Sequence, residues 1–500
     1  MPRAVSRQVI TLGIDVGSSA TKAVLVDLEV GVIASASQPV ELISSHPGWA
    51  EADPDVWWRN VAVLIRQLLA AAGIAPCDVS AVACSGMVPA VLCLDEHNRP
   101  LRPAILQNDA RATVEIAELD SELKSVDLLH RTGSVLSQQS VGPTLRWLER
   151  HEPDVWARTR LVVGSYDWIA IALGAAPHVE QNWALESGLF DFDGTPVSEV
   201  WDALALAAKK VPAPVRPGTV IGEVSQRAYE ATGLLTGTPI VVGGADHVLS
   251  AYGAGLAKQG DWLIKLGGAG DILAVSHELV LDSRLYLDAH PMPGLWLPNG
   301  CMATSGSLLR WLQALFGGAD LLTLDEEAEA EQPASLVCLP YFLGEKSPYH
   351  DPDLRGAFVG LHLGTTRGEI YRSSLESIAY GFRQHAEILA GMGLELGEPR
   401  VTNGGSKSVL WKQILADVLQ RPLIPVIDHP GASLGAATAA GIGTGTVPGW
   451  DVIGHFTHTG PAIEPDSSNT AAYEEGYALY CELEPALRPI SHRLSRRGRR

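Results

Sequence analysis

The sequence has no long apolar run and few cysteines, and both features limit the classes of protein to which the chain can belong. No stretch of 18 or more apolar residues occurs, so we predict no membrane-spanning helix. The six cysteines form no CxxC pair, and the fifteen histidines show no HExxH spacing. These patterns predict neither a disulfide framework nor a zinc site. No signal-peptide-like segment precedes the first apolar strand, and we therefore expect a cytoplasmic protein.

Positive charge is also scarce. Lys and Arg number 37 against 57 Asp and Glu, which gives a formal net charge of −20. A chain with this balance is not drawn nonspecifically to nucleic acid or to an anionic membrane. The exception is a basic tail over residues 486–500, which we predict to be disordered. With 500 residues, of which 46% are hydrophobic, the chain is long enough for two or three globular domains.

What the sequence does contain is a strand–turn–strand pattern near its start. Apolar residues over 12–16 and 23–26 flank a turn of Gly and Ser. The backbone N–H groups and small hydroxyls of such a turn converge on one concavity, which suits a phosphate. Asp15 would offer an oxygen ligand to a Mg²⁺ ion bound to that phosphate, and Lys22 would add positive charge. An ordinary tight hairpin is the alternative, because Gly and Ser are also common turn formers.

The same pattern recurs about half the chain later. Residues 262–266 and 272–275 are apolar and flank the Gly-rich turn 267–271. Two such patterns, one opening each half of the chain, indicate two related domains. We expect the phosphate chain of a nucleotide to lie between the two turns.

Strands that alternate with helices indicate an α/β fold. The clearest helix begins after Asp53, which suits an N-cap, has Pro54 in its first turn and ends at Gly73. Residues 240–245 form an apolar strand that runs through a Gly-Gly turn to the carboxylate of Asp246.

From about residue 12 to 445 the sequence resembles the FGGY family of carbohydrate kinases, and within it the xylulokinases most. The most specific match is residues 356–361, Gly-Ala-Phe-Val-Gly-Leu, followed after a gap by residues 369–376, Glu-Ile-Tyr-Arg-Ser-Ser-Leu-Glu. Four weaker matches, at 48–54, 101–105, 108–111 and 340–348, occur in the family's order. Together they make a chance resemblance very improbable.

The resemblance implies two actin-like ATPase domains of the ribonuclease H-like fold. Each would be a mixed sheet flanked by helices, with the active site in the interdomain cleft. We predict a sugar-binding N-terminal domain over residues 1–250 and a nucleotide-binding C-terminal domain over residues 251–485. The implied activity is transfer of the γ-phosphate of MgATP to a hydroxyl of a small sugar or polyol, with a pentulose such as xylulose or ribulose preferred. Dimers are common in the family.

By the same resemblance, Asp246 corresponds to the family's catalytic aspartate. We predict it as the general base and, with Asp15, as a ligand of Mg²⁺. An Asp that only caps the following helix is the alternative. Gly268 stands where xylulokinases usually have Thr or Ser, and Asp271 adds an unexpected negative charge. The predicted nucleotide contacts are the two turns and three further glycines: Gly17, Ser18, Ser19, Thr21, Lys22, Gly267, Gly268, Ala269, Gly306, Gly404 and Gly405.

The sugar side departs further from the xylulokinase pattern. Residues 87–90 read Met-Val-Pro-Ala instead of Gln-Met-His-Gly, Gln107 replaces a Trp, and His247 replaces an Asn. These changes predict a kinase whose acceptor differs from that of typical xylulokinases. A structural ion pair for Arg111, with Asp109 as a loop cap, is an equal alternative to sugar binding. The predicted sugar contacts are Met87, Val88, Pro89, Asn108, Asp109, Arg111, Asp246 and His247.

Two other functions compete with the sugar kinase. An actin-like ATPase without a sugar acceptor would share the two turns, but not the signature over residues 369–376. A catalytically silent regulator that binds sugar and nucleotide would explain the altered turn at Gly268. Against it stand the retained carboxylates of Asp15 and Asp246.

Overall fold

The computed structural model describes residues 9–46, 48–207 and 210–498, and the chain forms two compact units. Unit 1 comprises Met1–Ala257, Leu287–Leu295 and Pro430–Thr457. Unit 2 comprises Lys258–Tyr286, Trp296–His429 and His458–Arg500. The chain first passes from unit 1 to unit 2 after residue 257, whereas the sequence predicts a division at residue 250. No local pattern indicated the two later segments that return to unit 1.

The strands of unit 1 come first along the chain, and those of unit 2 follow from β13, apart from the residues of β15 that belong to unit 1. In chain order they are β1 (Ile10–Val16), β2 (Ala20–Asp27), β3 (Gly31–Pro39), β4 (Glu51–Ala52), β5 (Val79–Gly86), β6 (Leu92–Leu94), β7 (Ala104–Ile105), β8 (Leu161–Val163), β9 (Val179–Glu180), β10 (Pro214–Val215), β11 (Val220–Glu223), β12 (Pro239–Ala245), β13 (Trp262–Leu266), β14 (Gly270–Ala274), β15 (Tyr286–Ala289), β16 (Trp296–Met302), β17 (Val337–Leu339), β18 (Ala357–Val359), β19 (Pro399–Thr402), β20 (Ile424–Ile427) and β21 (His458–Thr459).

The helices alternate with these strands in both units. In chain order they are α1 (Pro54–Ala72), α2 (Thr113–Glu122), α3 (Leu128–Thr132), α4 (Val141–His151), α5 (Pro153–Arg158), α6 (Ser165–Leu173), α7 (Gln181–Ser187), α8 (Ser198–Ala203), α9 (Gln226–Thr232), α10 (Asp246–Gly253), α11 (Gly306–Leu315), α12 (Leu321–Glu329), α13 (Arg367–Gly391), α14 (Val409–Leu419), α15 (Ala432–Gly443), α16 (Ile453–Phe456) and α17 (Thr470–Gly498).

The main sheet of unit 1 is mixed, with the strand order β11-β12-β5-β1-β2-β3. Its three central strands β12, β5 and β1 run parallel, and their register places Ala245, Gly86 and Val16 side by side. The carboxyl ends of these strands therefore meet at one edge of the sheet. Asp15 and Asp246 both lie at that edge, on β1 and directly after β12.

Helix α15 packs closely on this sheet because glycine leaves room for it. A Cβ atom on Gly13 of β1 would collide with the carbonyl oxygen of Ser433 and lie 2.6 Å from the backbone nitrogen of Ala437. Since these are backbone atoms of α15, no side-chain rotation relieves the contact.

We expect Gly13→Ala to lower the free energy of unfolding of unit 1 by about 3 kcal/mol, because α15 must move away from β1. Gly454→Ala is the matched control, since nothing lies within 4 Å of a Cβ there. It lies in a helix of the same unit and should change the free energy by at most about 1 kcal/mol. Thermal unfolding followed by calorimetry compares the two, and equal melting temperatures would contradict the close packing.

The main sheet of unit 2 has β16, β14, β13, β19, β20 and β21 in that order. The β13–β14 hairpin is antiparallel, while β13 and β19 run parallel, so this sheet is mixed as well. The long helix α13 begins after Thr366, whose hydroxyl accepts a hydrogen bond from the backbone of Glu369 in a capping box. Its buried face includes Tyr371, Leu375, Ile378 and Phe382, which join the core of the unit.

The prediction of a disordered tail from residue 486 was wrong for residues 486–498, which continue helix α17. His492 Nε2 lies 2.7 Å from a carboxylate oxygen of Asp351, and the Ser495 hydroxyl donates to Asp353 at 2.7 Å. These contacts hold the segment against unit 2 despite its basic composition. The last two residues of the predicted tail, 499 and 500, lie outside the described residues.

Candidate active site

The first turn, residues 17–19, joins β1 and β2 as the sequence predicts. The backbone nitrogen of Gly17 donates to the carbonyl of Ala20 at 3.1 Å, which closes the turn. Ser18 and Ser19 are exposed, so their hydroxyls are accessible to a ligand. Asp15 is 7% exposed and pairs across the hairpin with exposed Lys22.

Thr21 does not lie on the same face of the sheet as Asp15 and Lys22. It pairs with Val16, one residue along from the Asp15–Lys22 pair, and neighbouring residues of a strand point to opposite faces of the sheet. Its side chain is fully buried. Thr21 Oγ1 has no hydrogen-bond partner among the described residues, and the phosphate contact predicted for Thr21 stays a prediction.

Asp246 is the first residue of α10, directly after β12. The N-cap position belongs to Ala245, with no side-chain capping bond, so the helix does not begin in the way that the capping alternative requires. The Asp246 side chain remains 35% exposed. A carboxylate at the end of a central strand is thus accessible to a ligand, as a general base must be.

His247 links Asp246 to two acidic residues that sequence reasoning missed. Its Nε2 atom lies 2.6 Å from a carboxylate oxygen of Asp288 and 3.9 Å from Oε1 of Glu186, and its Nδ1 atom lies 3.6 Å from Asp246. Asp288 lies on β15, in one of the segments that return to unit 1, and Glu186 lies on α7. Neither belongs to a motif, and only the fold brings them to His247.

The charges of this cluster shift the pKa values of its members. Burial alone would lower the pKa of His247, but the neighbouring Asp288, Asp246 and Glu186 outweigh it and raise that pKa well above its usual value. Burial and the negative charge of Asp288 raise the pKa of Glu186 well above its usual value. These directions favour a charged imidazole paired with Asp288 and the protonated form of Glu186.

The second turn, residues 267–269, lies in the β13–β14 hairpin of unit 2. The Gly267 carbonyl accepts a hydrogen bond from the Gly306 nitrogen at 2.9 Å. The Gly268 carbonyl accepts from the Ser305 nitrogen at 2.8 Å and from the Ser307 hydroxyl at 2.8 Å. The turn is thereby fixed to the start of α11.

The charge of Asp271 has a partner in the same hairpin. Its carboxylate lies 3.3 Å from Nζ of Lys265, and the two residues are paired in the strand register. The negative charge that the sequence placed beside the second turn is therefore balanced within unit 2.

Three further glycines predicted to line the nucleotide differ in their surroundings. A Cβ on Gly306 would lie 2.7 Å from the Gly267 carbonyl, so this glycine permits the contact between α11 and the second turn. Gly405 faces the ring of Trp411, and its Cβ would lie 2.7 Å from Leu266, which is a packing reason for glycine. Nothing lies within 4 Å of a Cβ on Gly404. Of the three, Gly306 has the direct connection to the second turn.

Two groups of predicted sugar contacts are largely buried. Met87, Val88 and Pro89 follow β5 at the edge that carries Asp246, and none of the three is exposed. Asp109 accepts hydrogen bonds from Nε and Nη2 of Arg111 at 2.8 and 2.7 Å.

The Arg111–Asp109 geometry is that of the structural ion pair. The Arg111 guanidinium also contacts Glu51 at 2.8 Å and stacks on the Trp49 ring at 3.8 Å. Asp109 binds the backbone nitrogen of Ala50 at 2.6 Å as well. Asn108, in contrast, is exposed.

Some buried polar atoms of residues in or beside the predicted site have no hydrogen-bond partner in the part of the chain that the structure describes. They are Gln107 Oε1, Arg111 Nη1 and Glu186 Oε1. Such atoms usually bind a ligand or water in the working protein.

Two α/β units with a glycine turn in each main sheet, and a carboxylate at the carboxyl edge of one sheet, are typical of the sugar kinases of the actin-like ATPase fold. Models of the FGGY family of carbohydrate kinases match this chain at residues 10–253 for the N-terminal domain and 279–444 for the C-terminal domain. The crystal structure of xylulose kinase from Rhodospirillum rubrum is 41% identical, covers 97% of this chain and 100% of its own, and superposes with a TM-score of 0.89.

Curated relatives agree with these matches. A xylulose kinase of Escherichia coli K12 is 27% identical over 485 residues, which cover 96% of this chain and 99% of the relative. A xylulose kinase of Staphylococcus epidermidis is 27% identical over 483 residues, which cover 94% and 95%. The chain belongs to the FGGY family and is an ATP-dependent carbohydrate kinase, so the ATPase without an acceptor and the silent regulator are not favoured. No helix of the described residues is long and apolar enough to cross a membrane.

Proposed function

We propose that this kinase transfers the γ-phosphate of MgATP to a hydroxyl of a pentulose, such as xylulose or ribulose, with Asp246 as the general base. The observation that carries the proposal is the strand register that places Val16, Gly86 and Ala245 side by side. This register brings Asp246 to the same sheet edge as Asp15 and the first turn. The relatives named xylulose kinase support the choice of a pentulose.

Asp246 acts on the acceptor. Its exposed carboxylate accepts the proton of the attacking hydroxyl and directs the oxygen toward the γ-phosphorus. His247 contacts Asp246 from the side and restricts where its carboxylate lies. Ser18, Ser19 and the backbone N–H groups of the first turn donate to phosphate oxygens. The rate comes mainly from positioning and charge neutralisation, and no phosphoenzyme forms.

Mg²⁺ fits the donors present at this edge. Asp15 and Asp246 supply carboxylate oxygens, which are the ligands that Mg²⁺ prefers. The ion needs no sulfur or imidazole ligand. We propose that these two residues hold the ion directly or through water. When bound, Mg²⁺ neutralises charge on the transferred phosphate.

A hydroxyl-bearing acceptor also fits the buried polar atoms described above. Glu186 Oε1 lies 3.9 Å from His247, which in turn contacts Asp246. In its protonated form Glu186 both donates and accepts hydrogen bonds, as a sugar hydroxyl does. Val88 and Pro89 offer no polar side chain, so we propose that hydroxyls are bound mainly through Glu186, His247 and Asn108.

The test is ADP release from MgATP by the purified protein against a panel of pentuloses, pentitols, tetritols, hexuloses and sugar acids. We expect one pentulose to give a rate far above the rate without sugar. A sugar acid or polyol as the single strong substrate would retain the kinase and overturn the pentulose. ATP hydrolysis that no compound on the panel stimulates would contradict the proposal as a whole.

A further inference from the structure

We propose that Arg310 binds the phosphates of the nucleotide at the second turn and supplies the contact that Gly268 lacks. The inference rests on the proposed function, because it assumes that ATP is the phosphate donor bound at this turn. It concerns unit 2 alone and adds a residue that no motif singled out.

The guanidinium of Arg310 lies directly against the second turn. A Cβ atom on Gly268 would be 2.9 Å from Nη2 of Arg310, and among the described residues no other heavy atom, apart from those of Gly268 and its two chain neighbours, lies within 4 Å of that position. Glycine at 268 therefore leaves a space that the guanidinium occupies. A Thr or Ser at this position would have placed its hydroxyl there, so the missing side chain and the arginine are spatially coupled.

Arg310 is free to bind an anion. Within the residues that the structure describes, its side chain makes no hydrogen bond and no ion pair, and the residue is exposed. Lys265 of the β13–β14 hairpin lies 3.3 Å from Asp271, which balances its charge. Arg310 therefore carries the uncompensated positive charge against the turn itself.

Arg310 is the fifth residue of α11, one turn beyond the N-terminus of the helix. The N–H groups of Ser305, Gly306 and Ser307 donate to carbonyls of the second turn. They are not available for phosphate, so the guanidinium is the donor that the start of α11 offers to it.

A guanidinium binds phosphate with two parallel N–H donors, and its planar shape suits a position flat against a glycine turn. Arg310 would therefore contact the β-phosphate, together with the backbone N–H groups of the second turn. AMP, which lacks this phosphate, should not depend on Arg310.

The experiment is calorimetric titration of ADP and AMP into the full-length wild type and three variants, without sugar. Arg310→Met keeps the length of the side chain and removes its charge, and we expect it to weaken ADP binding about tenfold or more while AMP binding stays unchanged. Arg310→Lys keeps the charge and should retain part of the affinity for ADP. Arg496→Met removes one charge from the last turn of α17 and should change neither affinity.

A double-mutant cycle tests the spatial coupling. Gly268→Thr places a side chain against Arg310 and should weaken ADP binding, whereas Gly268→Thr combined with Arg310→Met should bind ADP more tightly than Gly268→Thr alone. If Gly268→Thr does not fold, as judged by its melting curve, the Met and Lys variants of Arg310 decide the question.

Equal ADP affinity in wild type and Arg310→Met would overturn the inference and leave the proposed function intact. Equal weakening of ADP and AMP would overturn it too, because it would place Arg310 at the nucleoside or in the fold. Absence of ADP binding by the wild type would overturn the proposed function, and this inference with it.

Discussion

Replacing Asp246 with Asn is expected to reduce sugar-dependent turnover by about 10²–10⁴-fold, the usual contribution of a general base. The amide cannot accept the proton of the attacking hydroxyl, although it occupies the same space. The KM for the sugar should change far less than kcat, because the proton moves only in the transition state. Steady-state kinetics with the best acceptor of the panel measures both.

The control separates catalysis from helix stability. Asp55→Asn also removes a carboxylate from the first turn of a helix in unit 1, and it should leave turnover unchanged. Asp246→Asn should retain ADP binding and a melting temperature close to that of the wild type. Sugar-dependent turnover near the wild-type rate in Asp246→Asn would show that another group takes the proton.

Replacing Asp288 with Asn is expected to lower the free energy of unfolding of unit 1 by about 3 kcal/mol, as removal of one partner of a buried ion pair does. Asp288 is 1% exposed and lies 2.6 Å from His247, whose side chain is 19% exposed. Without the carboxylate, His247 must either remain charged and unpaired or release its proton. Calorimetric melting near pH 6 measures the loss.

The pH dependence of this effect has a defined sign. Because the raised pKa of His247 lies above the usual 6.5, the folded chain keeps a proton that the unfolded chain releases. The stabilisation is complete below pH 6.5 and is lost as the pH rises through the raised value. Glu186, whose pKa is raised above its usual 4.5, acts in the same direction from a lower starting pH. We expect the melting temperature to fall with rising pH above 6.5.

Variants of Glu186 and Asp288 show how much each residue contributes to the fall of the melting temperature with rising pH. Glu186→Gln resembles the protonated carboxyl, so it should melt near the wild type at pH 6 and flatten the part of the slope that Glu186 contributes. Asp288→Asn should melt lower at pH 6 and show a smaller difference from the wild type at high pH. A difference that grows with rising pH would contradict a charged His247.

Local signals in the sequence predicted much of the fold. The Asp53 side chain caps α1, and Gly73, which has no Cβ atom, ends it in the left-handed conformation. Both hairpins form where apolar runs flank glycine turns. The capping alternative placed Asp246 ahead of the following helix, whereas Asp246 is the first residue of α10.

The rest of the site depends on contacts between distant parts of the chain, which no local pattern encodes. Asp288 reaches His247 because β15 returns to unit 1, and Arg310 reaches Gly268 because α11 is fixed to the second turn. Thr21 lies on the other face of the sheet from Asp15 for a simpler reason, since the strand register alone decides which face its side chain takes. Arg111 and Asp109 fit both alternatives in sequence, and only their contacts with Glu51 and Ala50 favour the structural one.

The most direct test of the central claim follows the γ-phosphate of ATP by ³¹P NMR in a reaction with the best acceptor. We expect a sugar phosphate ester that grows in step with ADP, one molecule of ester for each molecule of ADP, and we expect Asp246→Asn not to form it. Inorganic phosphate that matches ADP, whatever sugar is present, would contradict it.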